Sequence, residues 1–257
     1  MKPIKSVAGP LIMLASGAAA RTFTVYNACP FTIWPAIFTD LNVGNAIPDH
    51  PTGWEAKPGT KVTFHVPDNW TAGRIWGRRG CDFSENPGPN SCLTGGCNGG
   101  LLCDPRTGPG VPPASLAEFT LSGGLDSDWY NVSLVDGFNL PIRISNNKGC
   151  PVADCPVDLG PSCPAPLQGP LDHRGFSAGC KSACYANLDG DQGNSTNCCS
   201  GEFSTPDRCP PSGVQYYDYF KRSCPNSYVY AYDESSGTSL HTCPTNLKAD
   251  YTITFCP

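Results

Sequence analysis

Charge is scarce in this chain, and what there is leans acidic. Asp, Glu, Lys and Arg make up only 15% of its 257 residues, and 17 basic side chains are outnumbered by 22 acidic ones. Binding a polyanion requires clustered positive charge, so this balance argues against nucleic acid or an anionic membrane surface as partner. Histidine is also sparse. His50, His65, His173 and His241 are scattered without ligand spacing, and no serine stands in a nucleophile-elbow pattern. Metalloenzyme, protease and esterase chemistries therefore lack their residues, and neither metal nor cofactor is expected. Long apolar runs are missing too, because prolines, glycines and charges break each one well short of the roughly 20 residues that cross a membrane. With 28 Gly and 27 Pro, long helices are disfavoured throughout.

What is present begins with a leader. Residues 1–20 carry Lys2 and Lys5, an apolar run Leu11 to Leu14, and the small residues Ala18, Ala19 and Ala20, which together read as a secretory signal peptide. The mature chain is expected to start near Arg21 and to be secreted, either extracellular or in a cell wall. Its 15 remaining basic residues against 22 acidic ones take the formal charge from −5 to −7. Sixteen cysteines follow the leader, and an even number in an exported chain implies disulfides rather than zinc, since thiols stay free for metal chiefly in reducing compartments. Asn69, Asn131 and Asn194 each open an Asn-x-Ser/Thr sequon and are candidates for glycosylation.

Short stretches that alternate polar with apolar or β-branched residues recur along the chain: Thr22 to Tyr26, Phe31 to Phe38, Lys61 to Val66, Gly73 to Trp76, Ala117 to Leu121, Trp129 to Leu134, Leu140 to Ile144, Ser227 to Tyr232 and Ala249 to Phe255. Their number and spacing predict a mainly β chain with a sandwich core assembled from 21–78, 114–156 and 225–257. Two stretches break the pattern. Residues 79–113 are Gly, Pro and Asn with four cysteines, too poor in apolar residues to bury a core, and read as a small disulfide loop region. Residues 157–224 hold seven cysteines, with a short helix expected over Gly179 to Leu188. No repeat or flexible linker separates these parts, so one compact unit, a monomer, is expected.

Particular motifs then carry a resemblance. Gly77-Arg78-Arg79-Gly80-Cys81, Cys92-Leu93-Thr94-Gly95-Gly96-Cys97, Pro112-Pro113, Leu116-Ala117-Glu118-Phe119, Ser133 to Asn139, Phe220-Lys221-Arg222, Cys224-Pro225 and Thr254-Phe255-Cys256 resemble, in order, the thaumatin-like (osmotin) family, with Gly96 where that family usually has Asp. The likeness spans essentially Arg21 to Pro257. Cysteine spacing alone leaves the pairing open. The resemblance implies Cys29–Cys256, Cys81–Cys92, Cys97–Cys103, Cys150–Cys243, Cys155–Cys224, Cys163–Cys180, Cys184–Cys198 and Cys199–Cys209. It also implies a β-sandwich, a cysteine-rich region with a helix, and a small loop region.

The resemblance further implies a cleft for β-1,3-glucan lined by one arginine, one glutamate and three aspartates. Three positions match, as Arg74, Glu118 and Asp136; at the other two, Asn131 and Asn226 replace aspartate. Glycoside hydrolysis needs two carboxyl groups, one to protonate the leaving oxygen and one ionised as base or nucleophile. Glu118 as acid and Asp136 as base or nucleophile can supply these, whereas the amides can only bind sugar hydroxyls. Asp126 and Asp128 stand near Asn131 as possible substitutes, although a turn at Gly123-Gly124 is the simpler use of them. Trp76, Phe138, Tyr216, Tyr217, Tyr219 and Phe220 are aromatic candidates, most of them expected in the core, with Tyr217 and Phe220 taken as sugar contacts. The expected function is an endo-β-1,3-glucanase acting on cell-wall glucan. The alternative is a non-catalytic β-glucan-binding antifungal or wall protein.

Overall fold

A computed structural model describes residues 20–257, so the expected signal peptide lies outside the described residues apart from Ala20. The first strand, β1 (Ala20–Asn27), alternates buried Phe23 and Val25 with half-exposed Thr22 and Thr24, which gives it one face for a core and one for water. It pairs antiparallel with β3 (Lys61–Pro67) and parallel with β12 (Tyr251–Phe255). β12 in turn pairs with β8 (Ile142–Asn146), and β8 with β9 (Ala153–Cys155), completing a sheet of order β3-β1-β12-β8-β9.

The second sheet runs β10-β7-β6-β4-β2, built from β2 (Trp34–Thr39), β4 (Gly73–Cys81), β6 (Leu116–Gly123), β7 (Ser127–Ser133) and β10 (Ser227–Tyr228). β5 (Cys92–Thr94) adds to β4, and β11 (His241–Pro244) pairs with Ser127 to Tyr130 of β7, the part that β10 leaves unpaired. Ala117, Phe119 and Leu121 of β6 and Tyr130 and Val132 of β7 turn inward onto the first sheet. The Phe119 ring lies 4.9 Å from that of Phe23 and 5.4 Å from that of Tyr251, so aromatic edges close the sandwich. Period-2 alternation then obliges Glu118, Thr120, Trp129 and Asn131 to face out of the sheet on its other side.

All sixteen cysteines are bonded, as Cys29–Cys256, Cys81–Cys92, Cys97–Cys103, Cys150–Cys243, Cys155–Cys224, Cys163–Cys180, Cys184–Cys198 and Cys199–Cys209. The helix expected over Gly179 to Leu188 is instead a run of turns. Asn187 adopts the left-handed conformation (φ 51°), and Leu188 N–H reaches back five residues to the Ala183 carbonyl. The α-helix lies later, as α1 (Tyr217–Ser223). Of the stretch Ser227 to Tyr232, only Ser227 and Tyr228 pair as a strand before the chain turns into a 3-10 helix at Asp233–Ser236.

Two arginines are wholly buried and hold parts of the fold together. Arg21, 1% exposed, donates to both oxygens of Asp128 at 2.8 and 3.2 Å and to Asp68 at 2.6 Å, while the Tyr251 hydroxyl also donates to Asp128. Among the described residues, Arg78 has no carboxylate within reach. It donates instead to the carbonyls of Trp34, Pro35, Gly100 and Leu101, clamping the small loop region onto β2, and burial depresses its pKa to about 10.

Candidate functional site

Strand register assembles the site. Arg74 on β4 stands opposite Glu118 on β6, and Glu118 stands opposite Asn131 on β7, so three outward side chains form one row across three strands. Arg74 Nη2 approaches Glu118 Oε1 at 3.6 Å, and Asn131 Nδ2 donates to Glu118 Oε2 at 3.1 Å. The row floors an open groove of about 280 Å³ that also takes in Asp40, Ala72, Thr120, Trp129 and Leu240.

Glu118 and Arg74 each keep 30% of their side chains exposed, so the carboxyl on the groove floor is partly open to water and partly surrounded by protein. That surrounding protein raises the Glu118 pKa above the ordinary carboxyl value, the Arg74 charge and the Asn131 hydrogen bond pull against the rise, and the Asp136 charge adds to it. Asp136 is also raised by burial, with Arg74 opposing. It sits in the turn after β7, where its carbonyl accepts from Ala114 N–H, and it is not among the residues lining the groove. Burial thus favours the protonated form of both carboxyls, and the Arg74 charge opposes it at each.

The other sequence-nominated residues are dispersed. Asn226 follows the row in register, since its neighbour Ser227 pairs with Val132, but its amide donates to Asp154 Oδ1 at 3.1 Å instead of facing the groove. Phe220 is 4% exposed and packs in the main core, which removes it from sugar contact. Tyr217 donates its hydroxyl to Asp233 at 2.9 Å and packs against Tyr230, away from the row. Trp76 and Phe138 are core residues. Asp128 is no substitute cleft acid, being the buried partner of Arg21 and accepting from Ser122 N–H at 3.0 Å across the β6–β7 connection, and Asp126 occupies the turn with φ 50°. Of the sequons, Asn69 and Asn194 are exposed, whereas Asn131 is 9% exposed within β7 and its amide nitrogen is committed to Glu118, so the folded chain presents no free amide there.

Sequence reading missed Asp40, Thr120 and Trp129 as groove residues. Thr120 and Trp129 each stand two positions from a nominated residue on a strand and so share its face, which is a signal in the sequence. Asp40 carries none, because only the pairing of β2 with β4 brings it to the groove.

A two-sheet, mostly antiparallel sandwich with disulfide-stapled excursions and a polar groove on an outer sheet face defines a class of disulfide-rich β protein. Within that class, residues 27–257 match the thaumatin family, and the chain belongs to it. Pathogenesis-related protein 5 of Arabidopsis thaliana is 43% identical over 252 residues, covering 96% of this chain and 95% of that protein. A protein of Prunus avium named glucan endo-1,3-beta-glucosidase is 37% identical over 250 residues, covering 96% of this chain and 94% of that one. Among solved structures, the GH family 64 laminaripentaose-producing beta-1,3-glucanase of Paenibacillus barengoltzii, complexed with laminarihexaose, aligns with a TM-score of 0.50 at 13% identity, over 93% of this chain and 75% of the other. At so low an identity that likeness concerns the fold alone.

Proposed function

We propose that the protein is a secreted β-1,3-glucan-binding protein that acts as an endo-β-1,3-glucanase. Glu118 is the general acid and Asp136 the base or nucleophile; Arg74 and Asn131 orient Glu118. The carrying observation is Glu118 itself, fixed on the groove floor between a guanidinium and an amide yet with a pKa above the ordinary carboxyl value. A carboxyl that keeps its proton can deliver it to the glycosidic oxygen as the bond to the anomeric carbon breaks. Ionised Asp136 then supplies the electron pair, by attacking that carbon or by taking a proton from the attacking water. The name of the Prunus avium relative supports the same substrate. Sixteen bonded cysteines support export to an oxidising compartment.

One observation favours a second reading, binding without cleavage: two cleft positions are amides, and Asp136 is set back from the groove lining. The two readings separate when the purified mature protein and Glu118→Gln are incubated with linear β-1,3-glucan while new reducing ends and glucan pull-down are followed. Cleavage by the native protein that is lost in Glu118→Gln, with pull-down retained, upholds the hydrolase. Pull-down without cleavage in the native protein leaves only the binding role, and absence of both removes glucan altogether.

A further inference from the structure

Beside the row of Arg74, Glu118 and Asn131 lies a second one. Counting two residues along each strand, and hence about 7 Å along the sheet, Thr120 follows Glu118 on β6 and Trp129 precedes Asn131 on β7, and these two are again directly opposite each other. Asp40, just past the end of β2, completes this second row at the groove wall. We infer that the second row is a glucosyl subsite, in which one pyranose ring of the substrate lies against the face of Trp129 and its hydroxyls bond to Asp40 and Thr120. This rests on the glucan reading above and assigns it a second binding position next to Glu118.

The chemistry of the three side chains suits a neutral polyol. The Trp129 indole N–H is already spent on the Gly124 carbonyl at 2.9 Å, so the side chain offers a ligand its ring and no donor. That ring is also held in place. A Cβ added at Gly123 would come within 2.8 Å of indole Cδ1, so the glycine lets the turn close down on the ring edge. A rigid, half-exposed aromatic face matches the C–H face of a sugar and loses little conformational freedom when it is covered. Among the described residues Asp40 uses only Oδ1, accepting from the backbone and side-chain nitrogens of Asn42, which leaves Oδ2 for a sugar hydroxyl. Thr120 Oγ1 accepts from Ala72 N–H at 3.5 Å, the long limit of a hydrogen bond, and its own proton remains free to donate.

The backbone between these residues supports the same use. Ala72 is held left-handed at φ 49°, a conformation that costs a non-glycine residue free energy, and its carbonyl there accepts from Asp40 N–H at 3.1 Å. This strained residue positions Asp40 and puts only a methyl group on the groove floor between the acid and Thr120.

Titration of native protein, Trp129→Ala, Trp129→Phe and Asp40→Ala with laminarihexaose by calorimetry, with tryptophan emission and thermal denaturation recorded in parallel, tests the subsite. Expected are a change in native emission on binding that is absent in Trp129→Phe, about tenfold weaker binding for Trp129→Ala, an intermediate value for Trp129→Phe, and about threefold weaker binding for Asp40→Ala. If the native protein binds while Trp129→Ala matches its affinity, the subsite is overturned and the glucan reading survives. Should Trp129→Ala fail to fold, Trp129→Phe decides: native-like affinity together with unchanged native emission overturns the subsite. No binding by the native protein overturns both.

Discussion

The sandwich and the cysteine-rich region 157–224 are ordered by different forces. In the sandwich, Phe23, Phe119, Tyr130 and Tyr251 interlock between two sheets, and its two disulfides, Cys29–Cys256 and Cys150–Cys243, join points 227 and 93 residues apart. In the cysteine-rich region regular structure is little more than α1, and Cys163–Cys180, Cys184–Cys198 and Cys199–Cys209 close loops with separations of 17, 14 and 10 residues. The first region is held by apolar burial, while the second depends on cross-links that limit the freedom of its unfolded chain. The contrast explains where the candidate site lies. Arg74, Glu118 and Asn131 stand on strands whose opposite faces are locked in the core, and a rigid support is what side-chain positioning requires.

The largest effect expected is in the sandwich. Asp128→Ala leaves Arg21 buried with one carboxylate partner fewer and should cost about 3–5 kcal/mol, read as a lower denaturation midpoint and faster amide exchange in β1 and β12 alike. Replacing Cys184 and Cys198 together by Ser should cost less, about 3 kcal/mol. Exchange should then speed up in residues 183–200 while β1, β6 and β12 keep their protection. Collapse of protection in the sandwich as well would break the distinction between the two regions.

The next effect concerns the groove. Burial raises the Glu118 pKa, so the stabilisation tied to its proton is complete below the range of a free carboxyl and is lost as pH rises through the folded-state value. Asp68 behaves oppositely. Burial alone would raise it, but hydrogen bonds from Lys248 and Arg21 hold it below the ordinary value, so its contribution is present above the free-carboxyl range and fades as pH falls through the lowered one. Asn131→Asp removes a donor from Glu118 and places a like charge beside it, so hydrolysis should persist to higher pH than in the native protein. An unmoved alkaline limb in the pH–rate profile would count against Glu118 as the acid. The smallest effect belongs to the exposed Arg222–Asp218 pair on α1, whose side chains are 82% and 75% accessible, and Asp218→Ala should shift stability by less than about 0.5 kcal/mol.

Local patterns carried much of the fold. Alternation in Thr22 to Tyr26 and in Ala117 to Leu121 reports a half-buried strand, and β1 and β6 formed there. Pattern misled where cross-links and turn geometry override it: Gly179 to Leu188 has helix-like composition, but Cys180 and Cys184 are tied to different segments and Asn187 turns left-handed. The aromatic cluster Tyr216 to Phe220 suggested sugar contacts, yet its residues form or flank α1, with Phe220 turned into the core, because a helix of seven residues needs a buried anchor. In the groove, Arg74, Glu118 and Asn131 were nameable by their motifs and Trp129 was reachable only through strand periodicity from Asn131, whereas Asp40 left no signal.

Composition, sixteen cysteines and period-2 alternation by themselves determined a mainly β chain stapled by disulfides, because each is a property of residues close together along the chain. Only the tertiary structure decided that Arg74, Glu118 and Asn131 stand abreast, that Trp129 and Asp40 flank them, and that Asn226 turns away to Asp154. Register between strands far apart in sequence follows from how whole faces pack, and a slip of one residue in any of β4, β6 or β7 would send its groove side chain into the core.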